Sequence, residues 1–204
     1  MEKIRALALV SGGLDSALAV KLVQEQGIEV VGIFFLDPFS KYERESVPNS
    51  PAGKIARQLG IELVIVEQGE EFLEMVKNPR YGYGRSANPC IDCRILRLKR
   101  AGEMLKEFSA QFIITGEVVG QRPMSQRREI IKLIDKETGL GKIILRPLSA
   151  RILNPTLAEE KGWVDREKLL GLIGRSRKLQ FHLAEKYGLK DFSSPAGGCL
   201  LTEE

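Results

Sequence analysis

The sequence predicts an α/β fold: a mostly parallel sheet of about five strands flanked by helices. Three observations carry this. Residues 6–10 are a continuous apolar run too short for a buried helix, the pattern of a strand covered on both faces, and residues 28–36 read as a second apolar strand. Between them Leu14, Leu18 and Leu22 recur every fourth residue, which marks one face of a helix. Further apolar runs at 61–66 and 110–115 alternate with helical patterns, and strand-helix-strand units of this kind make parallel sheets.

The first strand-to-helix turn is Ser11-Gly12-Gly13-Leu14-Asp15-Ser16. Paired glycines permit positive φ and bring backbone close to a ligand, while the first N–H groups of the helix have no intrahelical partner. An anion is stabilised there by about 0.3–2 kcal/mol from the helix dipole, and Ser11 and Ser16 add hydroxyl donors. Asp15 would repel a phosphate unless a cation lay between them, so it points to Mg²⁺ accompanying a nucleotide. The competing reading makes Asp15 a helix-start residue that satisfies its own backbone. No G-x-x-x-x-G-K-[ST] string occurs, which disfavours a kinase or GTPase of the Walker type.

Taking the chain in order, Gly27 ends the first helix and residues 28–36 form the second strand. Its carboxyl end, with the turn at Leu36-Asp37-Pro38, lies at the same sheet edge as the Ser11 loop, where ligands of such sheets bind. Residues 37–51 read as a loop, 52–59 as a helix stopped at Gly60, 61–66 as the third strand and 70–76 as another helix. Residues 77–85 carry Arg80, Tyr81, Tyr83 and Arg85, suited to gripping RNA or to forming a lid. Gly82-Tyr83-Gly84-Arg85-Ser86-Ala87 fits a dinucleotide fingerprint only in letters, since it follows a helix and leads to Asn-Pro. Residues 110–115 are the fourth strand. The segments 130–134 and 143–145, separated by a Gly-containing stretch, read as a hairpin or two edge strands. Residues 157–161, 166–172 and 175–187 read as helical, so 1–150 is expected to be a nucleotide-binding domain and 151–204 a helical extension packed on it.

Asn88-Pro89-Cys90-Ile91-Asp92-Cys93-Arg94 opens a basic helix that also holds Arg97, Lys99 and Arg100. Cysteines at a helix start beside arginines are expected to have lowered pKa values and to act as nucleophiles or metal ligands. Cys199, in Gly197-Gly198-Cys199, is the third and last cysteine, and an odd number argues against a disulfide framework. Three readings stay open: a 4Fe-4S cluster on Cys90, Cys93 and Cys199 with one iron open, a persulfide on Cys93 or Cys199 resolved by the other thiol, or a zinc site completed elsewhere. The single histidine, His182, removes HExxH metalloprotease and His-based triad chemistry and reads as a partly buried packing residue.

A net charge of +4 permits a nucleic-acid partner without requiring one. No apolar run approaches the ~20 residues that span a bilayer, and residues 1–5 lead directly into a strand, so no membrane association is expected and the cytoplasm is the expected compartment. The chain stops just past Cys199 with nothing to close behind it, an ending expected of a piece of a longer protein.

The Ser11–Ser16 string after a first strand resembles the SGGxDS loop of the PP-loop ATP pyrophosphatases. Thr115-Gly116-Glu117-Val118-Val119-Gly120-Gln121, running on to Ser125-Gln126, resembles the corresponding stretch of the tRNA thiouridine synthetases in that superfamily, and Asn88-Pro89 with Cys93 resembles the cysteine loop of tRNA-specific thiouridylases. Arg146-Pro147-Leu148 adds to the likeness. The resemblance implies a Rossmann-like, adenine nucleotide alpha hydrolase-like fold. It also implies an ATP-dependent sulfurtransferase that adenylates a uridine of tRNA, releases pyrophosphate and then replaces AMP by sulfur. On this basis ATP is expected at Ser11, Gly12, Gly13, Asp15, Ser16, Phe35, Leu36, Gly116 and Gln121, with Phe35 and Leu36 equally readable as core. Catalysis is expected from Cys93, Cys199, Cys90 and Asp15, and RNA contacts from Arg94, Arg97, Arg122, Arg175, Arg177 and Lys178. The implied partners are tRNA and a sulfur donor or carrier protein, and not DNA. Two other classes stay open: an adenylating enzyme acting on a small molecule or carrier protein, and a non-catalytic nucleotide- or metal-binding module.

Overall fold

The computed structural model describes residues 3–84, 86–193 and 200–202. Five parallel strands form one sheet: β1 (Arg5–Leu9), β2 (Glu29–Leu36), β3 (Leu63–Glu67), β4 (Phe112–Ile114) and β5 (Ile144–Leu145), in the order β3-β2-β1-β4-β5. Among the described residues, seven α-helices accompany them: α1 (Leu14–Gln24), α2 (Pro51–Leu59), α3 (Glu70–Lys77), α4 (Cys90–Met104), α5 (Arg128–Thr138), α6 (Leu157–Glu160) and α7 (Lys178–Lys186). The expected α/β architecture with a five-stranded sheet is what the chain adopts.

The alternation of β1 explains the layering. Ala6, Ala8 and Val10 face one core with α1 and α2, whereas Leu7 and Leu9 face the other with α4 and α5. Both faces are therefore covered, and after Arg5 the strand is apolar because neither side meets water. Central strand β1 pairs Ala8 with Gly32 of β2 and with Ile114 of β4. The order of strands reverses beside β1, so the loop after β1 opens into the crevice where ligands of such sheets bind.

Four expectations need correction. Residues 130–134 are helical, within α5, and only Ile144–Leu145 is a strand. Ile130, Ile131, Leu133 and Ile134 recur at helical spacing with Ile131 and Ile134 buried, and Gly139 at φ +70° closes the helix in a left-handed cap. Residues 166–172 form a single 3₁₀ turn at Arg166–Lys168 and then run extended, with Leu170 N–H bonded to Pro147 O and Leu172 N–H to Leu148 O. The last long helix starts at Lys178 and not at 175, because Gly174 N–H bonds to Val119 O at 2.7 Å and holds the preceding residues in a bridge to the 118–121 loop. His182 stands on the exposed side of α7, so it is not a packing residue. No described helix is long and apolar enough to cross a membrane.

Candidate functional site

The loop after β1 is shaped by close backbone approaches. Gly12 has φ +76°, and a Cβ on it would meet Ala52 N at 2.5 Å, so the first turn of α2 packs directly on the loop. Gly116, just past β4, is pressed against α1: a Cβ there would lie 2.5 Å from Ser16 N and 2.6 Å from Asp15 C. By contrast, a Cβ on Gly13 would meet only the Ser11 and Ser193 hydroxyls, at 3.5 and 3.7 Å. The loop is thus clamped on two sides by backbone, and at Gly13 its described neighbours are the Ser11 and Ser193 hydroxyls at ordinary contact distance. Ser16 Oγ donates to Gly13 O at 2.8 Å and holds the turn in shape.

Asp15 sits in the first turn of α1, where the helix dipole favours its charge. Its Oδ2 accepts from Arg177 at 2.6 Å and from Gln121 Nε2 at 2.6 Å. Gln121 is in turn held by Gln180 Nε2, 2.9 Å from its Oε1, and Gln180 is fully buried. The other oxygen, Asp15 Oδ1, is buried with no hydrogen-bond partner among the described residues. A carboxylate with one oxygen fixed by two donors and the other left bare suits a bound cation. Ser193 N–H reaches Gly12 O at 2.8 Å, so the C-terminal segment also touches the loop.

One residue beyond Gly116, Glu117 is buried and takes Arg146 Nε at 2.8 Å and Thr115 Oγ1 at 3.0 Å on Oε2. Arg94 Nε lies 3.3 Å from Oε1, close enough to pair by charge but out of line for a hydrogen bond. Burial opposes the charge of Glu117, yet Arg146 and Arg94 outweigh it and hold the carboxyl below its ordinary range. Arg146 is likewise buried, and Glu117 and Asp135 together keep it more firmly protonated than usual. Glu117 therefore joins β4 to α4: Gly116 abuts Ser16 of the loop, and Arg94 directly follows Cys93.

Cys90 and Cys93 are half-buried free thiols in the first turn of α4. Asp92 between them accepts Arg80 N–H at 3.0 Å and Tyr81 N–H at 3.1 Å, which ties the 77–84 segment to the cysteine turn. Tyr83 Oη donates to Val76 O at 2.7 Å, and Arg80 pairs with Glu137 at 2.7 Å, while Arg85 lies outside the described residues. The expected lowering of the thiol pKa fails for Cys90. Burial pushes it up, and the Asn88 Oδ1 hydrogen bond at 3.0 Å with the charges of Arg94 and Arg122 does not make up the difference.

The predicted residues divide in a clear way. Ser11, Gly12, Gly13, Asp15, Ser16, Gly116 and Gln121 come together around the loop. Phe35 is buried in the core facing α4 with the Arg97 guanidinium 5.8 Å from its ring centre, and Leu36 ends β2. Arg97 pairs with Asp37 and donates to Gln68 at 2.9 Å, binding the ends of β2 and β3 to α4. Arg94 and Arg177 are also engaged in ion pairs. Arg122 and Arg175 line a cavity of about 280 Å³ with Gln121 and Arg177, and Lys178 is exposed at the start of α7. Cys199 lies outside the described residues, and among those described no group of three His, Cys, Asp or Glu side chains is placed to hold a metal. Sequence reading had not singled out Glu117 or Gln180. A carboxylate two residues past an apolar strand end was the available signal for Glu117, whereas nothing in the sequence marked Gln180.

A family model described as thiamine biosynthesis protein (ThiI) matches residues 2–151. A tRNA-specific 2-thiouridylase MnmA 2 of Clostridium botulinum is 33% identical over 140 residues, covering 65% of this chain and 39% of the relative. The tRNA-specific 2-thiouridylase MnmA of Delftia acidovorans is 33% identical over 145 residues, 66% of this chain and 39% of the relative. The chain thus spans about 39% of the length of these curated relatives. Among solved structures, a 4-thiouridine synthetase in complex with RNA and bound ATP superposes with a TM-score of 0.55 at 25% identity, covering 72% of this chain and 37% of the other. The U34-tRNA thiolase NcsA of Methanococcus maripaludis, solved with its 4Fe-4S cluster, shares the fold, with a TM-score of 0.52 at 19% identity over 99% of this chain and 64% of that one.

Proposed function

We propose, from the premise that the chain belongs to the ThiI family (thiamine biosynthesis protein), that it is an ATP-dependent sulfurtransferase that thiolates a uridine of tRNA. The observation that carries the reading is the bridge through Glu117. It brings the nucleotide loop, by way of Gly116 and Ser16, to the turn bearing Cys93, by way of Arg94. Activation and sulfur delivery belong at one sheet edge, because an adenylated base is short-lived in water and has to meet its nucleophile where it forms.

In this reading the base oxygen attacks the α-phosphorus of ATP, the α–β anhydride bond breaks and pyrophosphate leaves. Backbone N–H groups at the start of α1 with Ser11 and Ser16 receive the phosphate charge, and Gly12 and Gly13 allow it to approach. Asp15, through its bare Oδ1, would hold Mg²⁺, which would neutralise phosphate charge. Leu36, which ends β2, and Phe35 beside it would neighbour the adenine in this reading. A sulfur nucleophile then attacks the base carbon, and AMP departs with the former base oxygen. Cys90 and Cys93, two free thiols one helical turn apart, fit as two ligands of a 4Fe-4S cluster whose third would be Cys199, and such a cluster supplies a sulfide nucleophile. Ser193, which bonds to Gly12, lies six residues before Cys199. Arg122, Arg175 and Lys178 stand free to meet RNA, with Arg94, Arg97 and Arg177 acting through their ion pairs.

The division into a nucleotide-binding part, 1–150, and an extension, 151–204, is part of the same reading. It is supported by Leu183 and Ala184 of α7 sharing a core with Leu14 and Leu18 of α1. A sulfur donor or carrier protein is the further partner, and the cytoplasm the compartment. The test is tRNA-dependent formation of AMP and pyrophosphate from ATP: unmodified tRNA should stimulate it and Asp15→Asn abolish it. Equal release with and without tRNA would move the reading to a small-molecule or carrier substrate.

A further inference from the structure

A cavity of about 490 Å³ lies between α5 and the 150–159 segment, and none of the residues of the nucleotide loop lines it. Nothing in the proposed chemistry uses it. Arg128, Lys132 and Lys136 line it at positions i, i+4 and i+8 of α5, so they form one stripe about 12 Å long, and exposed Lys142 adds a fourth cation. The acids in its lining are already neutralised from within. Asp135 pairs with Arg146 at 2.7 Å, and Glu159 pairs with Arg166 at 2.5 Å and accepts Thr156 N–H at 2.7 Å. Arg128 donates to Ile152 O at 2.7 Å but keeps its charge, and Lys132 and Lys136 make no ion pair among the described residues. Lys142 pairs with Glu160 at 2.9 Å in an exposed geometry, a contact worth little in water and easily exchanged.

We infer that this groove is a docking surface for the phosphodiester backbone of RNA. Charge complementarity selects the occupant: a stripe of unneutralised cations over a groove matches a chain of evenly spaced monoanions better than any small ligand. Its placement supports continuity with the site. Helix α5 joins parallel strands β4 and β5, so it runs against them and its Arg128 end lies at the carboxyl edge that carries Gly116 and Glu117. The stripe therefore begins at the proposed reaction edge and leads away along the β5 side of the sheet. The inference rests on RNA being the substrate and adds a second anchoring surface, distinct from the arginines expected from sequence.

The test is binding of an unmodified tRNA transcript to the full chain and to a Lys132→Gln/Lys136→Gln/Lys142→Gln variant across a salt series, with affinity for a non-hydrolysable ATP analogue as the control. The variant should bind tRNA about tenfold more weakly at moderate salt, lose about one unit of salt slope per lysine, and bind the nucleotide as the parent does. If the parent binds tRNA and the variant matches it in affinity and slope, the groove is not an RNA surface and the sulfurtransferase reading stands. If the variant loses heparin or an acidic protein but keeps tRNA, the groove serves another polyanion and the inference falls. If the parent binds no tRNA, the RNA reading and this inference fall together.

Discussion

Arg177 and Asp15, 162 residues apart, form an ion pair of 2.6 Å that fastens the approach to α7 onto the first turn of α1. Both side chains are about 15% exposed, and the pair satisfies only one of the two Asp15 oxygens. The arginine thus holds Oδ2 and leaves Oδ1 for a cation to claim when a nucleotide binds, so the two positive charges would share one carboxylate. Arg177→Gln is expected to destabilise the ligand-free chain by about 1–3 kcal/mol, since it leaves a mostly buried carboxylate short of a partner. Saturating Mg²⁺ and ATP should recover much of that loss by replacing the missing charge. Denaturant titrations with and without Mg-nucleotide measure both numbers, and an identical loss in the two conditions would show that Arg177 and the cation do not share Asp15.

Gly116 tests the clamp on the loop. The neighbours of its missing Cβ are backbone atoms of Asp15 and Ser16, which cannot rotate aside. Gly116→Ala should cost about 1–3 kcal/mol of stability and weaken nucleotide binding by displacing the start of α1. Gly139→Ala is the contrast, because a Cβ there meets nothing within 4 Å and only the positive φ is strained. It should leave nucleotide affinity unchanged.

Glu117 gives a pH signature. Its carboxyl lies below the ordinary value of 4.5 in the folded chain, so its stabilising contribution is complete above that value and drains away as pH falls through the lower folded value. Glu117→Gln should destabilise by about 3–5 kcal/mol at pH 7 by leaving a buried arginine with less charge against it. The gap between parent and variant should narrow below about pH 4.5. A gap that is constant from pH 7 to pH 3 would mean that Glu117 is not held ionised by Arg146 and Arg94.

Cys90 gives a second pH signature with the opposite sign. Burial keeps its thiol protonated above the ordinary value of 9.0, so at neutral pH it should react slowly with iodoacetamide. In metal-free Cys93→Ser/Cys199→Ser chain, the alkylation rate of the remaining cysteine should rise with a midpoint above pH 9.0. A midpoint near 7 would place Cys90 among activated thiols.

Much of this was readable from the chain because the physics is local. Strands buried on both faces are short apolar runs, and β1 to β4 stand out for that reason. The Ser11–Ser16 loop is legible through Gly12 and Gly13, whose lack of side chains is itself the signal. Helix α5 was misread because Ile130, Ile131, Leu133 and Ile134 form a dense apolar cluster whose short length fits a strand as well as a helix face, and Gly139 serves a helix cap as readily as a hairpin turn. Long-range pairs left no local mark. Nothing in the neighbourhood of Arg97 says that it will be held by Asp37, 60 residues earlier, and the same holds for Arg177 with Asp15. Basic residues that look free for RNA are in part the fasteners of the site. The Cys90 expectation failed because proximity to arginines was legible and burial was not.

The central claim is that the Ser11–Ser16 loop cleaves ATP between its α and β phosphates to activate a tRNA base. Incubation of the full chain with α-³²P-labelled ATP, Mg²⁺ and unmodified tRNA, followed by separation of the nucleotides, tests it directly. The account predicts labelled AMP and an equal amount of pyrophosphate, dependent on tRNA and absent from Asp15→Asn. Labelled ADP with inorganic phosphate, or AMP formation undiminished in Asp15→Asn, would contradict it.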